Sequence, residues 1–316
     1  LADYLDVFSK NLESRGVKVH WAKDAQEFNE IVLGILNDHH VKKMVKSKSM
    51  LTEECEMNPY LEKHGIDVVE TDLGERIIQL LGQKPSHIVM PAIHLKREEV
   101  GKMFEEKGIS KEIGNYDPTY LTRCARHHLR DQFMEAGAGM TGCNFGVAET
   151  GDCVVCTNEG NADMTTSMPK LHIVAMGIEK LVPDYKSLAV FQRLLCRCGT
   201  GQPTTAFTSH FRQARPGAEM HVVLVDNGRS DILADKDHWQ TLKCMRCGAC
   251  MNTCPVYRRS GGYSYTYFIP GPVGVNLGML KNPQKYADNV SACTLCLSCD
   301  NVCPSKVGPG SQIYVW

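Results

Sequence analysis

The sequence predicts an α/β body with a largely parallel sheet, followed by a small, mainly helical module organised by cysteines. Three observations carry that prediction. Short β-branched apolar runs alternate with helical patterns from about residue 41 to 225, as in a parallel sheet covered on both faces. From about residue 235 the sheet signal stops. Beyond it, C-x₂-C-x₂-C-x₃-C-P occurs twice, first as Cys244, Cys247, Cys250, Cys254 and Pro255, then as Cys293, Cys296, Cys299, Cys303 and Pro304. These points divide the chain into an N-terminal helical segment (1–40), the α/β body (41–234) and the cysteine module (235–316).

Within 1–40, Asp24 is placed to cap a helix in which Phe28, Ile31, Val32, Ile35 and Leu36 recur at helical spacing. A short strand at 41–45 runs into the polar loop Lys46-Ser47-Lys48-Ser49. A helix follows, with Ser49 or Thr52 near its start and Glu53 and Glu54 in its first turn. Residues 66–70 and 87–94 read as strands, with a helix over 73–81 between them. Two more helices are expected at 96–107 and 119–136, the second amphipathic through Leu121, Leu129 and Phe133. Strands resume at 152–156, 172–176 and 221–225, with a helical layer at about 182–200. Ligands bind such sheets at the C-terminal ends of the strands. Between the cysteine runs, Val256–Tyr263 and Pro270–Gly274 hold too much Gly and Pro for regular structure over much of their length.

At 316 residues the chain can bury two cores. Its net charge of −1 offers no field for nucleic acid or an anionic membrane. No run approaches the roughly 18 apolar residues of a spanning helix, and no signal peptide is visible. Of 15 cysteines, those outside the two runs show no framework of even spacing. Free thiols beside labile metal centres suit a reducing compartment, so a cytoplasmic protein is expected.

The doubled run is the pattern that bacterial ferredoxins use to hold [4Fe–4S] clusters. Two residues between cysteines let three thiolates converge from one tight loop, and the proline ends it where no amide donor is needed. Zinc also uses C-x₂-C pairs, but it gives no reason for a third cysteine at the same spacing or for two runs closed by Cys-Pro. In two-cluster proteins the fourth cysteine of each run serves the other cluster. The expected quartets are therefore Cys244, Cys247, Cys250 with Cys303, and Cys293, Cys296, Cys299 with Cys254.

In the α/β body, Met140–Gly151 gathers Gly142, Gly146 and Gly151 with Asn144 and Glu149, and Asn158-Glu159-Gly160-Asn161 follows a strand. Such loops admit close backbone approach and orient a ligand, and structural turns use the same residues. Neither G-x-G-x-x-G between strand and helix nor G-x-x-x-x-G-K-[ST] is present, which argues against nucleotide binding of those kinds. Lys46 and Lys48 beside Ser47 and Ser49 suit a carboxylate or phosphate, or form a solvated loop. His94 and His172 are acid/base candidates or hydrogen-bonded core histidines. Asp226-Asn227-Gly228-Arg229 reads as a turn.

Thr141-Gly-Cys-Asn-Phe-Gly-Val-Ala-Glu-Thr-Gly, Thr157-Asn-Glu-Gly-Asn, Met168-Pro-Lys, Met176-Gly-Ile-Glu-Lys and Val225-Asp-Asn-Gly-Arg-Ser resemble the LUD domain of the lactate-utilisation protein B family. Cys250-Met-Asn-Thr-Cys-Pro-Val-Tyr-Arg-Arg-Ser-Gly-Gly is similar to that family's cluster region. The resemblance implies a Rossmann-like LUD fold, related to sugar-phosphate isomerases and CoA transferases, followed by a dicluster ferredoxin-like module with two [4Fe–4S] clusters. It further implies an iron–sulfur subunit of a complex oxidising L-lactate to pyruvate, with a CCG-domain iron–sulfur protein and a smaller LUD protein as partners. The family's chains continue with a further helical segment beyond the second run, which this sequence does not include.

No flavin or nicotinamide fingerprint is seen, and clusters alone do not perform chemistry at the α-carbon. The expected role is electron transfer, with Lys46, Lys48, Asn144, Glu149 and His172 as candidates for binding the lactate carboxylate. Two other classes remain. One is an electron-transfer subunit of a different oxidoreductase with the LUD domain as scaffold, and the other is an isomerase- or transferase-like enzyme whose clusters are structural.

Overall fold

The computed structural model describes every residue except His87 and Ile88. Ten strands among the described residues are β1 (Lys18–Ala22), β2 (Lys43–Lys46), β3 (Asp67–Glu70), β4 (Ala138–Thr141), β5 (Phe145–Val147), β6 (Asp152–Thr157), β7 (Leu171–Gly177), β8 (Leu181–Val182), β9 (Phe207–Phe211) and β10 (Glu219–Val225). Six of them form one sheet in the order β1-β10-β7-β4-β2-β3, with every neighbouring pair parallel. The rest form a smaller mixed sheet, β8-β5-β6-β9.

Period-two alternation explains why the large sheet is apolar on both faces. In β7, Ile173 and Ala175 join Phe28, Leu36, Met44 and Val223 in one core, while Val174 and Met176 join Phe8, Leu12, Val222 and Leu224 in the other. The helix Ala25–Asp38 covers the first face and starts where Asp24 accepts a hydrogen bond from the Glu27 amide at 2.9 Å. Ser49 caps Met50–Glu54, and Asp72 caps Leu73–Leu81. Pro118–Glu135 lays Leu129 and Phe133 onto Val45 and Val69.

Four expectations change. Residues 1–40 are not helical throughout, because β1 pairs along β10 and makes this segment part of the α/β body. Its alternation is short and mixed in polarity, so only the neighbouring strand reveals it. The strand expected at 152–156 is real but lies in the small sheet, antiparallel to β5 and β9. Of the strand expected at 87–94, His87 and Ile88 lie outside the described residues, and 89–94 form bends and turns.

The connector between the cysteine runs is also more regular than its composition suggests. Gly271–Lys281 is a helix with buried residues from Gly271 through Met279. Pro272 sits in the first turn, where no amide donor is required. Gly274 is needed for contact, since a Cβ there would stand 1.8 Å from the Ile269 carbonyl oxygen. Among the described residues no helix is long and apolar enough to cross a membrane.

Candidate functional site

The two cysteine runs fold alike. In the first, Arg246 and Gly248 flank Cys247 with φ of 63° and 79°; in the second, Leu295 and Leu297 flank Cys296 with φ of 52° and 57°. These left-handed residues turn the chain so that a short helix follows each loop, Ala249–Thr253 and Ser298–Val302, and the two helices pack together. Backbone amides point at sulfur in matching places, Arg246 N–H to Cys244 Sγ at 3.4 Å and Leu295 N–H to Cys293 Sγ at 3.4 Å. Tyr257 N–H approaches Cys254 Sγ at 3.5 Å, and Val307 N–H approaches Cys303 Sγ at 3.3 Å.

The two runs lie close enough to feel each other's charge: Cys303 opposes ionisation of Cys247, Cys299 that of Cys250, and Cys254 that of Cys293 and Cys299. Burial pushes the Cys247 thiol up to about 11 and Cys299 up to about 12. Thiolates at these positions therefore call for cationic metal, which deprotonates its ligands. Amide donors to sulfur, an apolar setting formed by Tyr267, Ile269, Val273 and Leu277, and thiols only make a donor set that fits iron–sulfur clusters.

A cleft of about 430 Å³ lies beside the first run. It opens at the C-terminal ends of β2, β4 and β7, through Ser47–Ser49, Gly142–Asn144 and Gly177. Strand order reverses between β2 and β4, and such a switch point leaves a crevice in a parallel sheet. Cys156 and Thr157 of β6, Cys196 of the helix Tyr185–Thr200, and Met245, Arg246 and Cys247 complete the wall.

Arg229 anchors this wall. After β10, Asn227 and Gly228 adopt φ of 43° and 85°, returning the chain so that Arg229 meets two carboxylates. Its Nε donates to Glu179 at 2.6 Å, and its two Nη donate to Glu54 at 2.9 and 3.0 Å. Gly177 makes room, because a Cβ there would lie 2.2 Å from the Glu179 carboxylate and 2.8 Å from Arg229 Nε. Burial alone would push the Glu179 carboxyl up, but Arg229, Lys180 and Arg246 outweigh it and hold it down at about 2. Lys180 donates to the Cys244 carbonyl at 3.4 Å, so the same network touches the first cysteine run. Arg246 Nη1 is buried with no hydrogen-bond partner among the described residues. Since Arg229 is matched by Glu54 and Glu179, and Lys180 lies 3.8 Å from Glu179, Arg246 with its unmatched Nη1 is the cation that leaves this part of the cleft suited to an anion.

The chain matches the LUD domain family over residues 5–231 and the 4Fe-4S dicluster domain over residues 240–307. It belongs to the LUD domain family. It is 44% identical over 313 residues to Lactate utilization protein B of Macrococcus caseolyticus (strain JCSC5402), across 96% of this chain and 65% of that protein. It is 41% identical over 311 residues to the uncharacterized electron transport protein YkgF of Escherichia coli (strain K12), again across 96% of this chain and 65% of that protein. The chain thus spans just under two thirds of the length of these curated relatives. A crystal structure of a DUF162 family protein from Deinococcus radiodurans aligns with 71% of this chain and 97% of that one, at 14% identity and a TM-score of 0.39. The dicluster domain following the LUD domain implies iron–sulfur clusters.

Of the polar LUD residues expected to bind a ligand, the cleft takes in two. Lys48 lines it and donates to the Val89 carbonyl at 2.9 Å, and Asn144 lines it while its side chain accepts from the Cys156 amide at 2.9 Å. Lys46, Glu149 and His172 are committed elsewhere. Lys46 is fully buried, 2.7 Å from Glu70, its register partner on β3, and it donates to the Thr52 hydroxyl at 3.1 Å. Glu149 accepts from the Tyr185 amide at 2.9 Å, holding the first turn of the helix Tyr185–Thr200. His172 is near the N-terminal end of β7, the wrong end for a ligand. It contacts the Thr141 hydroxyl at 2.9 Å, and burial lowers its pKa to about 3. His94, the other histidine considered, contacts the Ser86 hydroxyl at 2.9 Å and Gln83 Oε1 at 3.0 Å.

Glu54, Glu179, Lys180, Arg229 and Arg246 were not foreseen. Glu179-Lys180 directly follows an apolar strand, which is a usable signal for a strand-end site. Arg229 stands in one of the stretches that carry the family resemblance, but it reads as part of a turn, because a turn sequence masks a side chain that folds back under the sheet end.

Proposed function

We propose that this LUD protein is an iron–sulfur electron-transfer subunit of a lactate-oxidising complex, with its cleft taking the carboxylate of a 2-hydroxy acid. Two [4Fe–4S] clusters are held by Cys244, Cys247, Cys250 and Cys303, and by Cys293, Cys296, Cys299 and Cys254. The α/β body extends to about residue 234, and the cluster module begins at about 235. The partners are a CCG-domain iron–sulfur protein and a smaller LUD protein, and the complex works in the cytoplasm.

One observation carries this reading: Cys247, a member of the first quartet, is also part of the cleft wall. One-electron chemistry is what bound clusters supply there. The chain's own residues bind and orient. Arg246, Lys180 and Lys48 attract the carboxylate, and the Arg229–Glu54–Glu179 set fixes the strand ends against which it rests. A three-carbon acid fills only part of 430 Å³, which leaves room for a group brought by a partner. The names of the relatives, in lactate utilization and in electron transport, agree with this reading.

The test is anaerobic addition of L-lactate to the cluster-loaded protein with its partners, following visible bleaching of the clusters. Bleaching with L-lactate and its slowing by Lys48→Met, at unchanged iron content, are expected. Clusters that stay oxidised while lactate is consumed would refute the electron-transfer role.

A further inference from the structure

At the end of the sheet opposite the cleft, two histidines and a carboxylate converge. His39 Nε2 lies 3.4 Å from Glu219 Oε1, and His221 Nε2 lies 2.6 Å from the same oxygen. One ligand atom from each of the three falls within 4.8 Å of the other two. We propose that His39, Glu219 and His221 form a binding site for a borderline divalent transition metal of the zinc type, separate from the iron–sulfur centres.

The outer contacts prepare both rings for that role. His39 Nδ1 faces the Ile35 carbonyl oxygen at 2.8 Å, so this nitrogen carries the hydrogen and leaves the Nε2 lone pair directed at Glu219. His221 Nδ1 contacts His20 Nε2 at 2.9 Å, with the rings parallel within 2°. Either tautomer satisfies that contact. Without metal, His221 Nε2 donates to Glu219 Oε1 at 2.6 Å; a metal in that place takes over the Glu219 contact, the hydrogen moves to Nδ1, which donates to His20, and the Nε2 lone pair turns to the metal. Fixing a ligand ring through its second nitrogen is how metal sites set tautomer and orientation.

The elements around the site favour a cation. His39 caps the C-terminus of the helix Ala25–Asp38, where the helix dipole is negative. Glu219 and His221 are two apart on β10 and therefore share one face of the strand. Two imidazoles and one carboxylate are a donor set zinc uses when a position is left open to solvent. The competing cation is Lys18, whose Nζ lies 2.5 Å from Glu219 Oε1. Its side chain is 57% exposed, and such ion pairs contribute only about 0–1 kcal/mol, so a divalent ion displaces it at little cost.

The measurement is zinc binding to the full cluster-loaded chain, anaerobically, by calorimetry with elemental analysis of zinc and iron. One zinc per chain is expected at unchanged iron. His39→Ala and Glu219→Gln, both at accessible positions, should abolish saturable binding, and His20→Phe should weaken it roughly 10- to 100-fold. His64→Ala, at an exposed histidine elsewhere, should bind as the unaltered protein does. Absence of saturable zinc in the unaltered protein would overturn the proposal, as would equal binding by His39→Ala and Glu219→Gln. Weakening by His64→Ala would overturn it too.

Discussion

In the first cysteine run the middle thiol, Cys247, is buried among Phe145, Val147, Val154 and Leu188 of the LUD body. Its counterpart in the second run, Cys296, is exposed, and the flanking Leu295 and Leu297 are 43% and 42% exposed. The loops have the same backbone, so the difference lies in what surrounds them. The first run is dovetailed into the body: Cys247 joins the core of the small sheet, and Lys180 reaches the Cys244 carbonyl. In the second run the Cys296 loop faces outward, while Cys299 shares the module's own core with Cys250. One repeated sequence thus takes two settings, a joint to the body and an exposed loop. Solvent exposure is among the factors that set cluster potential, so the two centres are expected to differ electrically as well.

That contrast can be broken most directly at the thiols. Cys247→Ser and Cys296→Ser should each retain about half the iron, one quartet having lost a ligand. Only Cys247→Ser should also lower the urea midpoint of the LUD body, read by far-ultraviolet circular dichroism. Equal midpoints would mean that the first run is no joint. Next in size is Arg229→Met, which strands Glu54 and Glu179 and should cost about 3–5 kcal/mol. It should loosen iron at the first quartet before the second.

Chelation sharpens the same distinction. With a strong iron chelator, release should be biphasic, and Cys296→Ser should remove the faster phase, because the exposed thiol is the accessible one. The smallest effects concern backbone strain. Gly248→Ala should destabilise the module by about 1 kcal/mol, since its φ of 79° disfavours a side chain. Leu297→Gly should stabilise it by up to about 1 kcal/mol by relieving the equivalent position, as a shift in the unfolding midpoint of the loaded protein.

Sequence reasoning succeeded where one local pattern decides the outcome. Helices announced by capping residues begin as expected, at Asp24 and Ser49, and the helix expected over 73–81 starts at Leu73 behind an Asp72 cap. The buried strands β7 and β10 are legible as continuous apolar runs. The polar strand β1 is not, because its place depends on a partner two hundred residues away. The same reason explains the cleft. Lys48 and Asn144 were legible as polar residues at strand ends. Lys46 looked identical from its loop, but its register with Glu70 decides that it is an internal ion pair. Conversely, Arg229 and Glu179 are distant in the chain and meet only because Gly177 leaves the space for them.

The crosswise arrangement of the fourth cysteines bears on biogenesis. On the proposed pairing, with Cys303 closing the first quartet and Cys254 supplying the second, a nascent chain has no finished metal centre until residue 303 has left the ribosome. The body, complete some seventy residues earlier, can fold first and present a socket for Cys247. Iron loading then becomes a late, all-or-none step, and a chain cut short anywhere in the second run should emerge folded but colourless.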